Sequence, residues 1–334
     1  MLFSSILSLA LAGGASASAG AEASDLSTGC AKKHIPSDFP KPGESKVVHP
    51  PDSDREYRLY IPDGYTPGVA APVYFSFHGA GGTMDVQEDL SQFSNPEFNP
   101  GGIAIYPNST NGYWLSNPNA ITTRPNDLDF VDAILNQVEA ELCVQKKEIY
   151  SAGKSNGGGF TAVIACDAKV GSRFAAFASV SGAYYDTDNI PGVGPCDPAP
   201  REGGYPFLEF HGTNDTTAPI DGNTKKHPKY PVIDFLHGWA ERNNCGEKAQ
   251  PTTNETWPEH PLVTRADWDC EDKNGTMRRG IVQHYRESEN GHCWPSTKSN
   301  SDYKKHPDQC SRGKYVFNAT SVIFDFFSHY QLGR

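Results

Sequence analysis

Apolar and polar positions change rhythm repeatedly along the chain. Short runs rich in β-branched and aromatic residues lie at Tyr57–Ile61, Val73–Phe77, Gly102–Tyr106, Glu148–Ala152, Phe174–Val180, Phe207–Phe210 and Gly280–Tyr285, each of strand length. Between several of them the apolar residues recur at helical spacing. Over Asp127–Leu142, Phe130 or Val131, Ile134, Leu135, Val138 and Leu142 share one face, and Asp127 is placed to cap the helix. Phe160–Ala168, Val232–Asn243 and Tyr315–Leu332 have comparable patterns. Strands alternating with helices at this spacing predict an α/β fold: a mostly parallel central sheet with helices on both faces.

Three stretches depart from this rhythm. Residues 1–19 read as a secretory signal, with an apolar run from Leu2 to Leu11 and two Ala-x-Ala sites ending at Ala17 and Ala19. Residues 20–51 form a polar, proline-rich lead expected to be irregular and pinned by Cys30. The polar segment Asn243–Arg279 holds two cysteines and reads as a surface insertion. No internal repeat or linker divides the remainder, so residues 52–334 are expected to form one catalytic domain with surface insertions.

Composition narrows the compartment and the partners. A net charge of −11 argues against nucleic acid or an anionic membrane surface. After the N-terminus no apolar run is long enough to span a bilayer. The eight cysteines, at 30, 143, 166, 196, 245, 270, 293 and 310, are even in number and lack C-x-x-C spacing. Disulfides in an oxidising compartment fit this better than a metal site. Asn108, Asn214, Asn254, Asn274 and Asn318 begin Asn-x-Ser/Thr sequons. Asn214 falls in an expected active-site loop, which leaves Asn108, Asn254, Asn274 and Asn318 as glycosylation candidates. Together these features point to an extracellular protein; the sequence does not indicate an oligomeric state.

The sharpest chemical signal is Gly153-Lys-Ser155-Asn-Gly157, a G-x-S-x-G entered by a strand pattern and left by a helical one. In that context the glycines clear a turn so tight that the serine Oγ is pushed into the open. A serine hydroxyl needs a general base, and the base needs a carboxylate that fixes its tautomer. In the matching chain order the acid comes next and the histidine last, each just after a strand. Asp215 ends Pro206-Phe-Leu-Glu-Phe-His211-Gly-Thr-Asn-Asp215 and meets that requirement. Its rivals are Asp221, which could hold the loop, and Asp234, which falls in a helical pattern. Of the eleven histidines, His292 in Glu289-Asn-Gly-His292-Cys-Trp-Pro295 follows a strand at the right place. Phe77-His78-Gly-Ala-Gly-Gly82 follows another strand, where a second oxyanion donor is expected. The N–H groups of Asn156 and Ala80 are the expected donors, with Gly79 or Gly81 as neighbouring alternatives. His78 reads as a residue that fixes this loop.

The order F-H-G-A-G-G, G-K-S-N-G-G-G, H-G-T-N-D and G-H-C-W-P resembles secreted fungal esterases of carbohydrate esterase family 1. Within that group it is similar to feruloyl esterases and their poly(3-hydroxybutyrate) depolymerase-like relatives, over roughly Arg55 to Phe327. The resemblance implies an α/β-hydrolase fold, no cofactor, and hydrolysis of hydroxycinnamoyl esters on plant cell-wall polysaccharides. Some relatives bridge a cysteine beside the serine to one beside the histidine. Here Lys154 precedes Ser155, so that bridge cannot form, and Cys293 must pair elsewhere. Cys310 is the partner considered for it, and a Cys245–Cys270 pair would close the surface insertion. Eight cysteines allow about 105 connectivities, so other pairings stay open.

A phenolic ester needs a slot that stacks an aromatic ring. Trp114, Tyr184, Tyr185 and Trp294 lie in or beside loops at the carboxyl edge of the expected sheet and could line it or pack behind it. An acetylxylan esterase would need a smaller acyl pocket and a polyester depolymerase a shallow open one. A catalytically silent hydrolase fold that binds carbohydrate is the reading from another class, set against the presence of a candidate for every member of the triad.

Overall fold

The computed structural model describes residues 23–186, 195–223, 229–258, 260–310 and 317–333. The secretory-signal reading of residues 1–19 lies outside them. The strands are β1 (Ser45–Val48), β2 (Tyr57–Tyr60), β3 (Ala71–Phe77), β4 (Ile103–Pro107), β5 (Val144–Lys154), β6 (Ala176–Val180), β7 (Phe207–Gly212), β8 (Thr253–Thr256), β9 (Val263–Glu271) and β10 (Met277–Glu287). They form one sheet in the order β1-β2-β4-β3-β5-β6-β7-β10-β9-β8. From β4 to β10 along that order every neighbouring pair is parallel. Both flanks are antiparallel.

Successive residues of the central strands feed two separate cores, as period-2 geometry requires. Ile103 and Ile105 of β4 and Phe177 of β6 join a cluster with α2 (Asp127–Glu141), α3 (Asn156–Cys166) and α4 (Val232–Arg242). Ala104 and Tyr106 of β4 and Ala176, Ala178 and Val180 of β6 join the other, with α1 (Met84–Ser91) and α7 (Ala319–Ser328). Short helices α5 (Ser301–Lys305) and α6 (Pro307–Cys310) follow β10. Every predicted strand and helix has its counterpart, within a few residues at the ends. The last helix is shorter than the expected Tyr315–Leu332: it begins at Ala319, capped by Asn318, and ends at Ser328.

Three expectations are corrected. The lead is not wholly irregular: β1 pairs with β2 at the sheet edge, register Ser45 to Tyr60. The surface insertion Asn243–Arg279, where no strand is expected, carries β8 and β9, which extend the sheet beyond β10. Ala266, Trp268 and Cys270 alternate with polar Arg265, Asp267 and Asp269, and the apolar members are buried. That alternation marks a strand whose polar face masks its apolar one in any composition average. Finally, Asn126, not Asp127, caps α2, in a box with Asp129. Asp127 is buried and engaged elsewhere, 2.7 Å from Arg55 Nη2 and accepting the Leu115 N–H at 2.8 Å.

Candidate active site

The G-x-S-x-G forms the hinge between β5 and α3. Ser155 has φ 54° and ψ −119°, a conformation that L-residues adopt only under constraint. The two glycines permit it. A Cβ on Gly153 would stand 2.3 Å from Gly157 O, and one on Gly157 would stand 2.2 Å from Phe77 O. Neither contact is possible, so strand, turn and helix pack this closely only with glycine at both positions. Ser155 N–H donates to Val180 O, and Ser155 O accepts from Gly159 and Ala183, which fixes the turn against β6.

The turn after β3 lies directly against the serine: a Cβ built on Gly79 would stand 3.3 Å from Ser155 Cβ. Gly81 N–H donates to Gly112 O, and Gly82 N–H donates to Gly79 O. Gly81 is therefore engaged, while Ala80 N–H takes part in neither bond. His78 is buried; its Nε2 accepts the Ser109 N–H at 3.2 Å, so Nδ1 is the nitrogen that donates to Gly79 O at 2.8 Å. Burial holds this imidazole neutral, with its pKa pushed down to about 4.

Asp215 follows β7 and His292 follows β10, neighbouring parallel strands whose carboxyl ends open on one side of the sheet. His292 Nδ1 stands 2.7 Å from Asp215 Oδ2 across 77 residues of sequence. The other carboxylate oxygen accepts the N–H groups of Thr217 at 2.8 Å and Ala218 at 2.7 Å. Burial alone would raise the Asp215 pKa, but bonds from His211 and His292 hold it far below the usual carboxylate range. His292 is lowered, by burial first and then by the charge of Lys154, against the pull of Asp215.

The structure ties the serine turn and the histidine loop together through residues that motif spacing did not indicate. Lys154 Nζ lies 2.9 Å from Asp302 Oδ1, and Asp302 Oδ2 accepts the Trp294 N–H at 2.8 Å. Ser181 Oγ donates to Cys293 O at 3.2 Å. Disulfides join Cys30 to Cys143, Cys166 to Cys196, Cys245 to Cys270 and Cys293 to Cys310. The last closes the chain immediately after His292; Cys245–Cys270 links the end of α4 to β9.

Of the four aromatics considered for the substrate slot, two are corrected. Trp114 and Trp294 are both 0% exposed. Trp114 donates its Nε1–H to His78 O at 2.9 Å and its backbone N–H to Asn156 Oδ1 at 2.8 Å, linking the turn after β3 to the serine turn. Trp294 donates to Thr320 Oγ1 at 3.1 Å inside the core. A large ring with one donor is well suited to this bracing. Tyr184 is 5% exposed, stacked on Phe235, and donates to Ser179 Oγ. With half-buried Tyr185 it lines a cavity of about 490 Å³ between α3 and α4, and Ser155, Asp215 and His292 are not among the residues that line it.

Among the sequons, Asn254 and Asn274 are exposed and Asn108 is half-buried, donating to Glu56. Asn318 is corrected as a glycan site: it is buried and its Oδ1 caps α7 by accepting the Ser321 N–H. Among the described residues, no helix is long and apolar enough to cross a membrane.

No family model matches the chain. It is 32% identical over 205 residues to feruloyl esterase C of Emericella nidulans, covering 59% of this chain and 64% of that protein. It is 28% identical over 209 residues to feruloyl esterase B of Piromyces equi, covering 59% of this chain and 37% of that one. A bifunctional acetylxylan esterase/xylanase of Neocallimastix patriciarum is 25% identical over 240 residues, covering 71% of this chain and 31% of that protein. The match therefore spans less than two thirds of the length of each of these relatives. Among solved structures, an acetyl xylan esterase from Aspergillus awamori superposes with a TM-score of 0.56 at 16% identity, covering 75% of this chain and 94% of that one. The chain thus has the α/β-hydrolase fold and is related in sequence to fungal feruloyl esterases.

Proposed function

We propose that the chain is an extracellular serine esterase that hydrolyses feruloyl and related hydroxycinnamoyl esters of plant cell-wall polysaccharide. The observation that carries this reading is the 2.7 Å contact of His292 Nδ1 with Asp215 Oδ2, on a loop that the Lys154–Asp302 pair ties to the turn of a serine held at positive φ. Asp215 fixes the Nδ1–H tautomer, which makes Nε2 the nitrogen able to take a proton. His292 removes the Ser155 proton as Oγ attacks the ester carbonyl. The Asn156 and Ala80 N–H groups receive the charge that develops on the carbonyl oxygen. His292 then passes the proton to the departing sugar oxygen, and a water, deprotonated by the same imidazole, releases the acyl group. No step of this sequence needs a metal or cofactor.

The names of the relatives support both the feruloyl reading and an acetylxylan one. Hydrolysis of methyl ferulate, 4-nitrophenyl acetate and a short polyhydroxybutyrate chain separates the acyl classes. Strong release of acetate with no ferulate would overturn the choice of substrate. Full esterase activity in Ser155→Ala would overturn the mechanism, and inactivity on every ester would favour a carbohydrate-binding role.

A further inference from the structure

A second histidine stands behind Asp215. His211 lies at the end of β7 with its side chain wholly buried. Its Nδ1 is 2.8 Å from Glu209 Oε1. Its Nε2 is 2.7 Å from Ala218 O and 3.3 Å from Asp215 Oδ2. A carbonyl oxygen can only accept, so Nε2 must carry a proton. A carboxylate can only accept as well, so Nδ1 carries a proton too unless Glu209 is itself protonated. Glu209 is fully buried, yet His284 Nε2 also stands 3.2 Å from its second oxygen. An ionised carboxylate suits two facing imidazoles better than a neutral acid does.

We propose that His211 is an imidazolium throughout the neutral range that positions Asp215 from behind and shares its charge, so that the relay runs Glu209–His211–Asp215–His292. This rests on the roles proposed above for Asp215 and His292. Its consequence is electrostatic. With a cation beside it, Asp215 draws the His292 proton less strongly, and His292 stays a free base further into acid. Burial opposes a charge on His211, but Glu209 and Asp215 outweigh it and raise its pKa to about 10. The other ionisable groups nearby are Tyr184 beside Glu209, His284 and Glu287 on β10 around Glu209 and His211, Lys229 near Asp215, and Lys154 and Asp302 near His292. His211 makes no contact with the reacting atoms and is a positioning residue.

Histidine side-chain nitrogen NMR on the intact protein tests this without relying on activity. Between pH 6 and 8, both ring nitrogens of His211 should be protonated, with signals assigned by correlation to its own backbone. An unprotonated Nδ1, the proton residing on Glu209, would overturn the proposal. The titration of His292 is followed in the same spectra. In His211→Gln its midpoint should rise by about one unit, and the acid limb of kcat/KM should move with it. An unchanged midpoint in a folded variant would reduce His211 to a packing residue. If His211→Gln does not fold, Glu209→Gln serves instead: it removes the counter-charge, and His211 should then titrate at lower pH. A His211 that remains doubly protonated at unchanged pH in that variant would contradict the Glu209 link. Loss of the esterase reading would show as activity retained in Ser155→Ala, a result that leaves these spectra unaffected.

Discussion

Lys154 Nζ lies 2.9 Å from Asp302 Oδ1, with each side chain only 9% exposed. The lysine immediately precedes Ser155, and the aspartate holds the backbone of Trp294, two residues after His292. The pair therefore joins the serine turn to the histidine loop, where some relatives are expected to carry a disulfide. Removing one partner of a buried ion pair leaves the other charge uncompensated, at a cost of about 3–5 kcal/mol. Lys154→Met should lower stability by that order and reduce kcat more than it raises KM. Replacing both residues with apolar ones should restore most of the stability but not kcat. Denaturant unfolding and ester kinetics on the three variants check this, and an unchanged kcat in Lys154→Met would dissociate the pair from the site.

Asp215→Asn should leave the fold intact and reduce turnover by about 10⁴-fold, because an amide can hold His292 in the wrong tautomer. Circular dichroism with steady-state kinetics distinguishes this from unfolding. A loss of less than tenfold would point to another acid, and Asp221 would then be the one to change.

Activity should fall as the pH drops and His292 takes up a proton, since a protonated base cannot accept the serine proton. Because burial and Lys154 lower the pKa of this imidazole, the acid limb should lie below the ordinary value of 6.5. A kcat/KM profile with its acid midpoint above 6.5 contradicts the assignment.

Stability should be lost at both extremes of pH, for separate reasons. The depressed pKa of Asp215 contributes stability that is present above its ordinary 3.8 and disappears as the pH falls through its folded value. His211, raised to about 10, contributes stability that is complete below 6.5 and lost as the pH rises through about 10. Glu287, raised by burial to about 8 from 4.5, acts in the same direction as His211. Thermal unfolding at constant ionic strength should show a midpoint that declines from pH 7 to 10. A rising midpoint over that interval would exclude these groups as the governing ones.

Trp114→Phe should keep the ring packing against Phe77 and Phe160 but leave His78 O without its indole donor. A buried acceptor left unmet costs about 1–3 kcal/mol. Because that carbonyl belongs to the turn lying against Ser155, kcat should fall while KM changes little. Equal loss in both constants would return Trp114 to the substrate slot.

The parallel core of the sheet was legible because its strands are continuous apolar runs separated by helical periodicity. The order Ser155, Asp215, His292 was legible because each follows such a run. The edge strands were not. β9 alternates Ala266, Trp268 and Cys270 with charged residues, so its composition resembles a loop although its period is that of a strand. Glu209 offered a signal that spacing rules passed over: a carboxylate within the buried run Phe207–Phe210 requires a partner, and His211 and His284 are those partners. Asp302 offered no such signal, because nothing local to it indicates that it meets Lys154, 148 residues earlier.

The sequence by itself determined the fold class and set out the serine turn, Asp215 and His292 in order after strands, since each depends on local pattern and on chain order. Only the tertiary structure decided how these groups are charged and held. The neighbours of Asp215, the burial of Trp114 and Trp294, and the Lys154–Asp302 pair arise from contacts between segments far apart in the chain. Burial and the spacing of charges are properties of the packed interior, and they are set by which distant residues meet there.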